Sequence, residues 1–253
     1  MNDLSKKYER VRVVSLDTTV IDIDAAMAQI AEWARANSSR YVCFSTVHMV
    51  MESHDDPAFG AKVNAADMIV TDGMPLVWMQ RRQGRKDGGR VRANDLMTRF
   101  CEIAARENIK VGFYGGRQEV IDAILARAKR ELPTLEIAYA YSPPFRPLSE
   151  EEDARITEEI KTSGAQVLFM GLGCPKQENW MAAHRGKIPA VMLGVGASFD
   201  FYAGNVKESP EWLQNIGLEW LYRLVQEPRR LWYRYLILNP RFMWQAAKQL
   251  LRR

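Results

Sequence analysis

The sequence contains no long apolar run. No stretch of the 253 residues approaches the roughly 20 consecutive apolar residues that a membrane-spanning helix needs. The segment from Met1 to Lys7 has no apolar core of the kind found in signal peptides. We therefore expect a chain that stays in the cytoplasm and spans no membrane.

Cysteine and histidine are scarce. The three residues of each type are widely separated, so they form neither a disulfide framework nor the spacing of a zinc site. No Ser/His/Asp order and no Cys/His pairing supports a nucleophilic enzyme. We expect a reducing compartment and no bound metal or other cofactor. The residues concerned are Cys43, Cys101, Cys174, His48, His54 and His184.

An excess of charge is also lacking. The net charge of +4 and the pI near 8.9 are too mild to imply nucleic acid as a partner. The basic residues are instead concentrated from Arg223 to Arg253, whereas acidic residues are dense in Glu150–Glu159. The local distribution of charge is therefore more informative than the total.

Short apolar runs alternate with helix-like segments through most of the chain. This alternation predicts an α/β fold with a mostly parallel sheet and helices on both faces. Residues 209–253 contain four of the seven tryptophans, many arginines and no strand signal, so we expect residues 1–208 to form the α/β domain and 209–253 a helical appendage that Pro228 and Pro240 divide into three pieces. The predicted strands are Val11–Leu16, Tyr41–Phe44, Asp67–Val70, Ile109–Tyr114, Leu135–Tyr139, 165–169 and Pro189–Leu193.

A glycine turn follows the strand at residues 165–169. Gly171 and Gly173 allow a sharp turn, and Pro175 suits the first turn of a helix. Free amides at such a helix start attract anions, and Lys176 and Gln177 would stand beside them. An ordinary strand-to-helix turn without a ligand is the alternative.

Small polar residues end two other predicted strands. Asp72 is the best candidate for a general base, because partial burial at a strand end would raise its pKa; a helix cap is the alternative. Thr46 and His48 would bind substrate, although a lone histidine is often structural. Asp95 and Asp200 are either ligands or caps, and Asn94 or Asp95 would begin a helix. The pair Asp22-x-Asp24 indicates a helix start rather than a metal site.

The arginines of the appendage have helical spacing. Arg223, Arg230 and Arg234 share one face if a helix runs through Pro228. Arginine beside tryptophan and leucine is typical of a helix in a membrane interface, with guanidinium groups on phosphates. Two alternatives stay open: a nucleic-acid surface, and arginines that pair with carboxylates in a helical subdomain.

Five motifs occur in a fixed order between Val11 and Tyr235. They are Thr71-Asp72-Gly73-Met74-Pro75, Arg90-x-x-x-x-Asp95-Leu96, Gly171-x-Gly173-x-Pro175-Lys176-Gln177-Glu178-x-Trp180, Gly194-Val195-Gly196-x-x-Phe199-Asp200-x-x-x-Gly204 and Gly217-Leu218-Glu219-Trp220-Leu221-Tyr222-Arg223-Leu224-x-x-Glu227-Pro228-x-Arg230. Together they resemble the WecG/TagA/CpsF glycosyltransferases of bacterial envelope and exopolysaccharide synthesis.

This resemblance implies a Rossmann-like core and an inverting, metal-independent transfer of a hexose-type sugar. The donor would be a UDP-sugar and the acceptor a polyprenyl-diphosphate-linked saccharide, reached by a peripheral protein on the inner face of the cytoplasmic membrane. Two positions depart from the family: His48 replaces a common Asn, and Glu208-Ser209-Pro210 replaces Arg-Ala-Pro.

The resemblance also implies roles for individual residues. Asp72 would act as the base with Thr46 beside it. Arg90 and Gln177 would line the donor site, with Asp200 near the nucleotide. From their places at strand ends and helix starts, we expect the same donor site to include His48, Asp95, the glycine turn Gly115-Gly116, Gly171, Gly173 and Lys176. The lipid diphosphate would meet Arg223, Arg229, Arg230 and Arg234.

A different functional class is also compatible with these residues. The chain would then be a non-catalytic α/β module that binds a nucleotide-sugar or RNA, although nucleic acid is not the partner that we expect. The sequence leaves open whether the chain forms a homo-oligomer.

Overall fold

The structure is a computed structural model, which describes residues 7–210, 212–213 and 216–252. The targeting prediction rests largely on residues outside this part of the chain. The centre of the structure is a six-stranded parallel sheet. Its strands are β3 (Arg40–Ser45), β4 (Met68–Thr71), β5 (Val111–Gly115), β6 (Ile137–Tyr141), β7 (Val167–Gly171) and β8 (Val191–Gly194). They lie side by side in the order β4-β3-β8-β7-β5-β6.

Helices cover both faces of the sheet, as predicted. Strand residues alternate between the faces: Val42 and Phe44 join one apolar cluster, whereas Tyr41 and Cys43 join the other. The first cluster contains residues of α1 (Ile23–Arg35), α5 (Ala93–Glu107), α6 (Gln118–Glu131) and α9 (Ser198–Tyr202). The second contains residues of α2 (Val47–Asp55), α3 (Pro57–Asn64), α4 (Met74–Arg82), α7 (Glu150–Ser163) and α8 (Lys176–His184).

The single first strand predicted at Val11–Leu16 is wrong. This segment forms an antiparallel hairpin of β1 (Arg10–Val13) and β2 (Leu16–Thr19), separate from the main sheet. Val14 adopts φ = 55°, which turns the chain after only four strand residues. The apolar pattern continued across the turn, so it did not reveal the reversal.

Two predictions about helix starts have different outcomes. Asp22 caps α1 by accepting a hydrogen bond from the Ala25 amide at 2.8 Å, which confirms the capping interpretation of Asp22-x-Asp24. The cap predicted at Asn94 or Asp95 is wrong, because α5 already begins at Ala93 with Arg92 as its N-cap residue.

The C-terminal segment, which comprises residues 216–252, contains fewer helix breaks than predicted. Helix α10 (Glu219–Gln226) ends before Pro228, but α11 (Pro228–Trp232), a π-helical stretch (Tyr233–Leu238) and α12 (Asn239–Leu251) follow one another with helical backbone angles at their junctions. Pro240 therefore does not separate two helices. The wider π-turns before it relieve the clash that a proline makes with the preceding helical carbonyl.

This segment packs against the α/β core. Leu238, Phe242 and Ala246 are buried in the second apolar cluster, and Arg241 forms a bidentate ion pair with Asp55 of α2. The division at residue 208 into domain and appendage stays a prediction. Within the described residues, no helix is both long and apolar enough to cross a bilayer.

Candidate functional site

A cavity of about 430 Å³ lies at the carboxyl ends of β3, β4, β7 and β8, where open α/β sheets bind their ligands. The C-terminal segment forms its remaining wall. Eleven of the predicted site residues line it, namely Thr46, His48, Asp72, Arg90, Gly171, Gly173, Gln177, Asp200, Arg223, Arg230 and Arg234. Five others do not: Asp95, Gly115, Gly116, Lys176 and Arg229.

Asp72 directly follows β4, and its amide donates a hydrogen bond to the Ser45 carbonyl at 2.9 Å. Burial raises the pKa of its carboxyl group to about 7, against the opposing effect of the Arg90 guanidinium. Gly73, not Asp72, is the N-cap residue of α4. The structure thus contradicts the helix-cap alternative and leaves an Asp72 carboxyl group that changes charge near neutral pH.

Thr46 and His48 begin α2 beside Asp72. The Thr46 hydroxyl oxygen caps the helix by accepting from the Met49 amide at 3.5 Å. Burial, helped by the charge of Arg234, lowers the pKa of His48 to about 4. The imidazole is therefore neutral at pH 7, and its Nε2 lies 3.3 Å from Glu52. His48 presents a neutral hydrogen-bonding group to the cavity.

Arg90 joins the Asp72 loop to the C-terminal segment. Its Nε donates to the Asp72 backbone carbonyl at 2.8 Å, and its Nη2 donates to Glu219 Oε2 at 2.5 Å. Arg92, another wall residue, donates to Asp95 at 2.9 Å. Asp95 thereby faces Arg92 from the first turn of α5 and stays outside the cavity.

Gln177 braces two glycine turns. Its side chain is 3% exposed; its Oε1 accepts from the Gly173 amide at 3.0 Å, and its Nε2 donates to the Gly194 carbonyl at 2.9 Å. The Gly173 amide is therefore already hydrogen-bonded. Lys176 is exposed outside the cavity, and Pro175 is the N-cap of α8 rather than a residue of its first turn. The glycine turn forms a rigid wall more than an open anion site.

The second glycine turn supports the first from behind. The Gly116 amide donates to the Gly171 carbonyl at 3.1 Å, and a Cβ on Gly115 would meet the Gly171 backbone at 2.6 Å. Only glycine permits this approach. Gly115 and Gly116 thus shape the end of β7 rather than line the cavity.

Three arginines of the C-terminal segment reach the cavity although the helix breaks before Pro228. Arg223 lies over the Phe201 ring at 5.4 Å, and Arg230 donates to Glu227 at 2.6 Å. Arg234 is largely buried, and this burial lowers its pKa. Arg229 is exposed and does not line the cavity. The wall opposite Asp72 is therefore rich in positive charge.

Several cavity residues were not predicted. Arg92, Asn94, Tyr235 and Asn239 line the wall, and so does Glu219. The signal for Glu219 was its place in the motif from Gly217 to Arg230, but the motif did not show that it would face Arg90. Among the described residues, no three His, Cys, Asp or Glu side chains are grouped so that they would hold a metal ion.

Comparison with known proteins agrees with this geometry. Residues 11–253 match the glycosyl transferase WecG/TagA/CpsF family. The chain belongs to this glycosyltransferase family. Two similar relatives bear the name N-acetylglucosaminyldiphosphoundecaprenol N-acetyl-beta-D-mannosaminyltransferase. The one from Bacillus spizizenii (strain ATCC 23059 / NRRL B-14472 / W23) is 31% identical over 84% of this chain and 80% of its own length. The one from Staphylococcus aureus (strain MW2) is 27% identical over 95% of both chains.

Membership confirms the predicted class of protein, a glycosyltransferase, and the parallel α/β sheet confirms the predicted fold. It leaves the roles of single residues as predictions. The position of His48 in the cavity wall makes this chain's departure from the common Asn part of the site. The other departure, Glu208, accepts hydrogen bonds from Arg92 at 3.2 Å and from Asn94 at 2.5 Å.

Proposed function

We propose that the chain is an inverting glycosyltransferase that moves a hexose-type sugar from a UDP-sugar to a polyprenyl-diphosphate-linked saccharide. The observation that carries the proposal is Asp72, a carboxyl group with a pKa near 7 in a cavity walled by arginines. In an inverting transfer one base removes the proton of the acceptor hydroxyl as its oxygen attacks the anomeric carbon. Asp72 is ionised enough at neutral pH to accept that proton.

The leaving group of the reaction is UDP. As the bond between the anomeric carbon and the phosphate oxygen breaks, negative charge grows on the diphosphate. Arg90 would lie beside the diphosphate of the donor. Guanidinium groups that are fixed in a cavity wall stabilise such negative charge without reorganisation. We therefore propose that the transfer requires no metal ion. His48, as a neutral hydrogen-bonding group, would contact the donor and contribute to the choice of sugar.

The acceptor follows from the relatives and from the C-terminal segment. The relatives are named for an acceptor in which a sugar is linked through diphosphate to undecaprenol. Arg223, Arg230 and Arg234 offer the charges that bind a diphosphate. We extend this acceptor class to the present chain, with these arginines at the diphosphate.

The outer surface of the C-terminal segment suits a membrane. It exposes large apolar side chains next to Arg229 and Lys248, a combination typical of helices that lie in a lipid interface. We propose a peripheral position on the inner face of the bacterial cytoplasmic membrane. The exposed side chains are Trp232, Tyr233, Leu236, Ile237, Met243 and Trp244.

The test is release of UDP in the presence of a short-chain polyprenyl-diphosphate saccharide. We would compare UDP-N-acetylmannosamine, UDP-N-acetylglucosamine, UDP-glucose and UDP-glucuronic acid, with and without a chelator. At least one donor should release UDP only when the acceptor is present, and chelation should not change the rate.

The variant Asp72→Asn should lower kcat by roughly 10²–10⁴-fold, the usual effect of removing a general base. Asp87→Asn, which alters an exposed carboxylate outside the cavity, is the matched control. Full turnover by a folded Asp72→Asn protein would contradict the role of Asp72. Affinity for UDP or RNA without transfer to any acceptor would instead support a non-catalytic binding module.

A further inference from the structure

A carboxylate from the C-terminal segment lies between two arginines of the loop that precedes α5. Glu219 Oε2 accepts from Arg90 Nη2 at 2.5 Å, and its Oε1 lies 3.6 Å from Arg92 Nη2. The Glu219 side chain is only 16% exposed and lines the same cavity as Asp72. Such a desolvated contact is stronger than an ion pair on the surface.

The chain geometry before Glu219 fixes its place. Gly217 adopts φ = 75°, and a Cβ there would meet the Trp78 ring at 2.9 Å and Met74 Cβ at 3.5 Å. The turn therefore packs directly on α4, the helix that follows Asp72. Two residues later the chain begins α10 with Glu219 facing Arg90. The packing of this turn on α4 therefore sets the position from which the Glu219 side chain reaches Arg90.

We propose that Glu219 is a positioning residue that couples the C-terminal segment to the base: its carboxylate holds the Arg90 and Arg92 guanidinium groups in the cavity wall and keeps a negative charge beside Asp72. The inference rests on the function proposed above, because it assumes that Asp72 is the base. It gives the segment a second role besides contact with the acceptor.

The charges around Asp72 explain what this coupling does. Arg90 and Arg92 face it from the loop before α5, and Glu219 faces it from α10. Burial raises the Asp72 pKa, the two arginines lower it and Glu219 raises it. His48, Asp200, Arg223, Arg230 and Arg234 line other parts of the cavity. Without the Glu219 charge only burial opposes the two arginines, so the pKa of Asp72 falls and its carboxylate becomes a weaker base.

The first measurement is the titration of Asp72 itself, which needs no substrate. In protein labelled with ¹³C at the aspartate carboxyl carbons, the Asp72 signal is the one that Asp72→Asn removes. Glu219→Gln should shift its midpoint downward by on the order of one pH unit. Glu219→Asp, which keeps the charge, should bring the Asp72 midpoint most of the way back to that of the parent protein. Glu107→Gln, which alters a surface ion pair with Arg35, should leave the midpoint unchanged.

The second measurement is the pH profile of sugar transfer. In Glu219→Gln the acidic limb of kcat should move in step with the titration, and the plateau should fall several-fold, because the arginines are no longer held. An unchanged Asp72 midpoint in Glu219→Gln would overturn the proposal. So would a lower donor KM with unchanged kcat, since Glu219 would then merely occupy a phosphate site that the donor must clear. If no donor is turned over, the titration still decides the coupling while the transferase function fails separately.

Discussion

The folded protein disfavours the charged form of Asp72, because burial destabilises its carboxylate. Its pKa in the folded protein is about 7, above the ordinary value of 3.8. The unfolded chain therefore releases this proton at lower pH than the folded one, so the contribution of Asp72 to stability falls as pH rises from about 4 to 7. A group poised for proton transfer at neutral pH thus costs folding free energy at that pH.

The variant Asp72→Asn should therefore be more stable than the parent, although we expect its kcat to be much lower. Asparagine carries no charge, so the variant avoids the cost of burying an ionised carboxylate. Its unfolding free energy at pH 8 should therefore exceed that of the parent by roughly 1–3 kcal/mol. The difference should vanish at about pH 2 to 3, where Asp72 is protonated in both the folded and the unfolded state. Urea denaturation at the two pH values measures the difference, and Asp87→Asn supplies the reference. A variant that is less stable than the parent at pH 8 would show that burial of the charge is not the dominant effect.

The glycine turns decide the site at the scale of elements. Four strands end at one edge of the sheet, and close contacts between glycine backbones let their loops approach one another. The turn at Gly217 likewise allows a close approach, because the absence of a side chain lets the chain pack on Trp78. This packing brings α10 to the cavity.

Gly217→Ala tests this arrangement. Alanine at φ = 75° is strained by about 1 kcal/mol, and its Cβ would lie only 2.9 Å from the Trp78 ring. We therefore expect the turn to shift and to carry Glu219 with it. We expect a several-fold loss of kcat and the same downward shift of the Asp72 titration as in Glu219→Gln. Gly84→Ala is the matched control, since Gly84 has φ = 85° with no neighbour within 4 Å of an added Cβ. Equal effects of the two substitutions would mean that backbone strain, not the contact with Trp78, is responsible.

In the whole molecule, the C-terminal segment contributes side chains both to the apolar core and to the exposed surface. Its inner face buries Leu238 and Phe242 against α2, while its outer face exposes Trp232 and Trp244 at 51% and 63%. Truncation of the segment would therefore also uncover the core. Substitution of the outer tryptophans separates membrane contact from folding.

Trp232→Ser combined with Trp244→Ser should lower binding to vesicles that contain anionic lipid by roughly tenfold or more, because two aromatic side chains no longer enter the interface. Sedimentation with the vesicles measures the bound fraction, and the melting temperature should change little. Phe145→Ser, which removes an exposed aromatic ring outside this segment, should bind as the parent does. Unchanged vesicle binding by the double variant would exclude this face as the membrane contact.

Local sequence patterns predicted the six strands of the main sheet, the helices on both of its faces and the candidate base, but not the hairpin of β1 and β2. Short apolar runs and the alternation of strands with helices follow from local burial, and Asp72 was recognisable because it directly follows an apolar strand. Which polar groups meet depends on the tertiary fold. The Gln177 side chain forms hydrogen bonds to the backbone within the cavity wall, whereas Lys176 and Arg229 are exposed. Glu219 contacts Arg90 although the two residues are 129 positions apart in the chain. Those contacts depend on how the C-terminal segment folds back onto the sheet edge, which no local pattern of residues encodes.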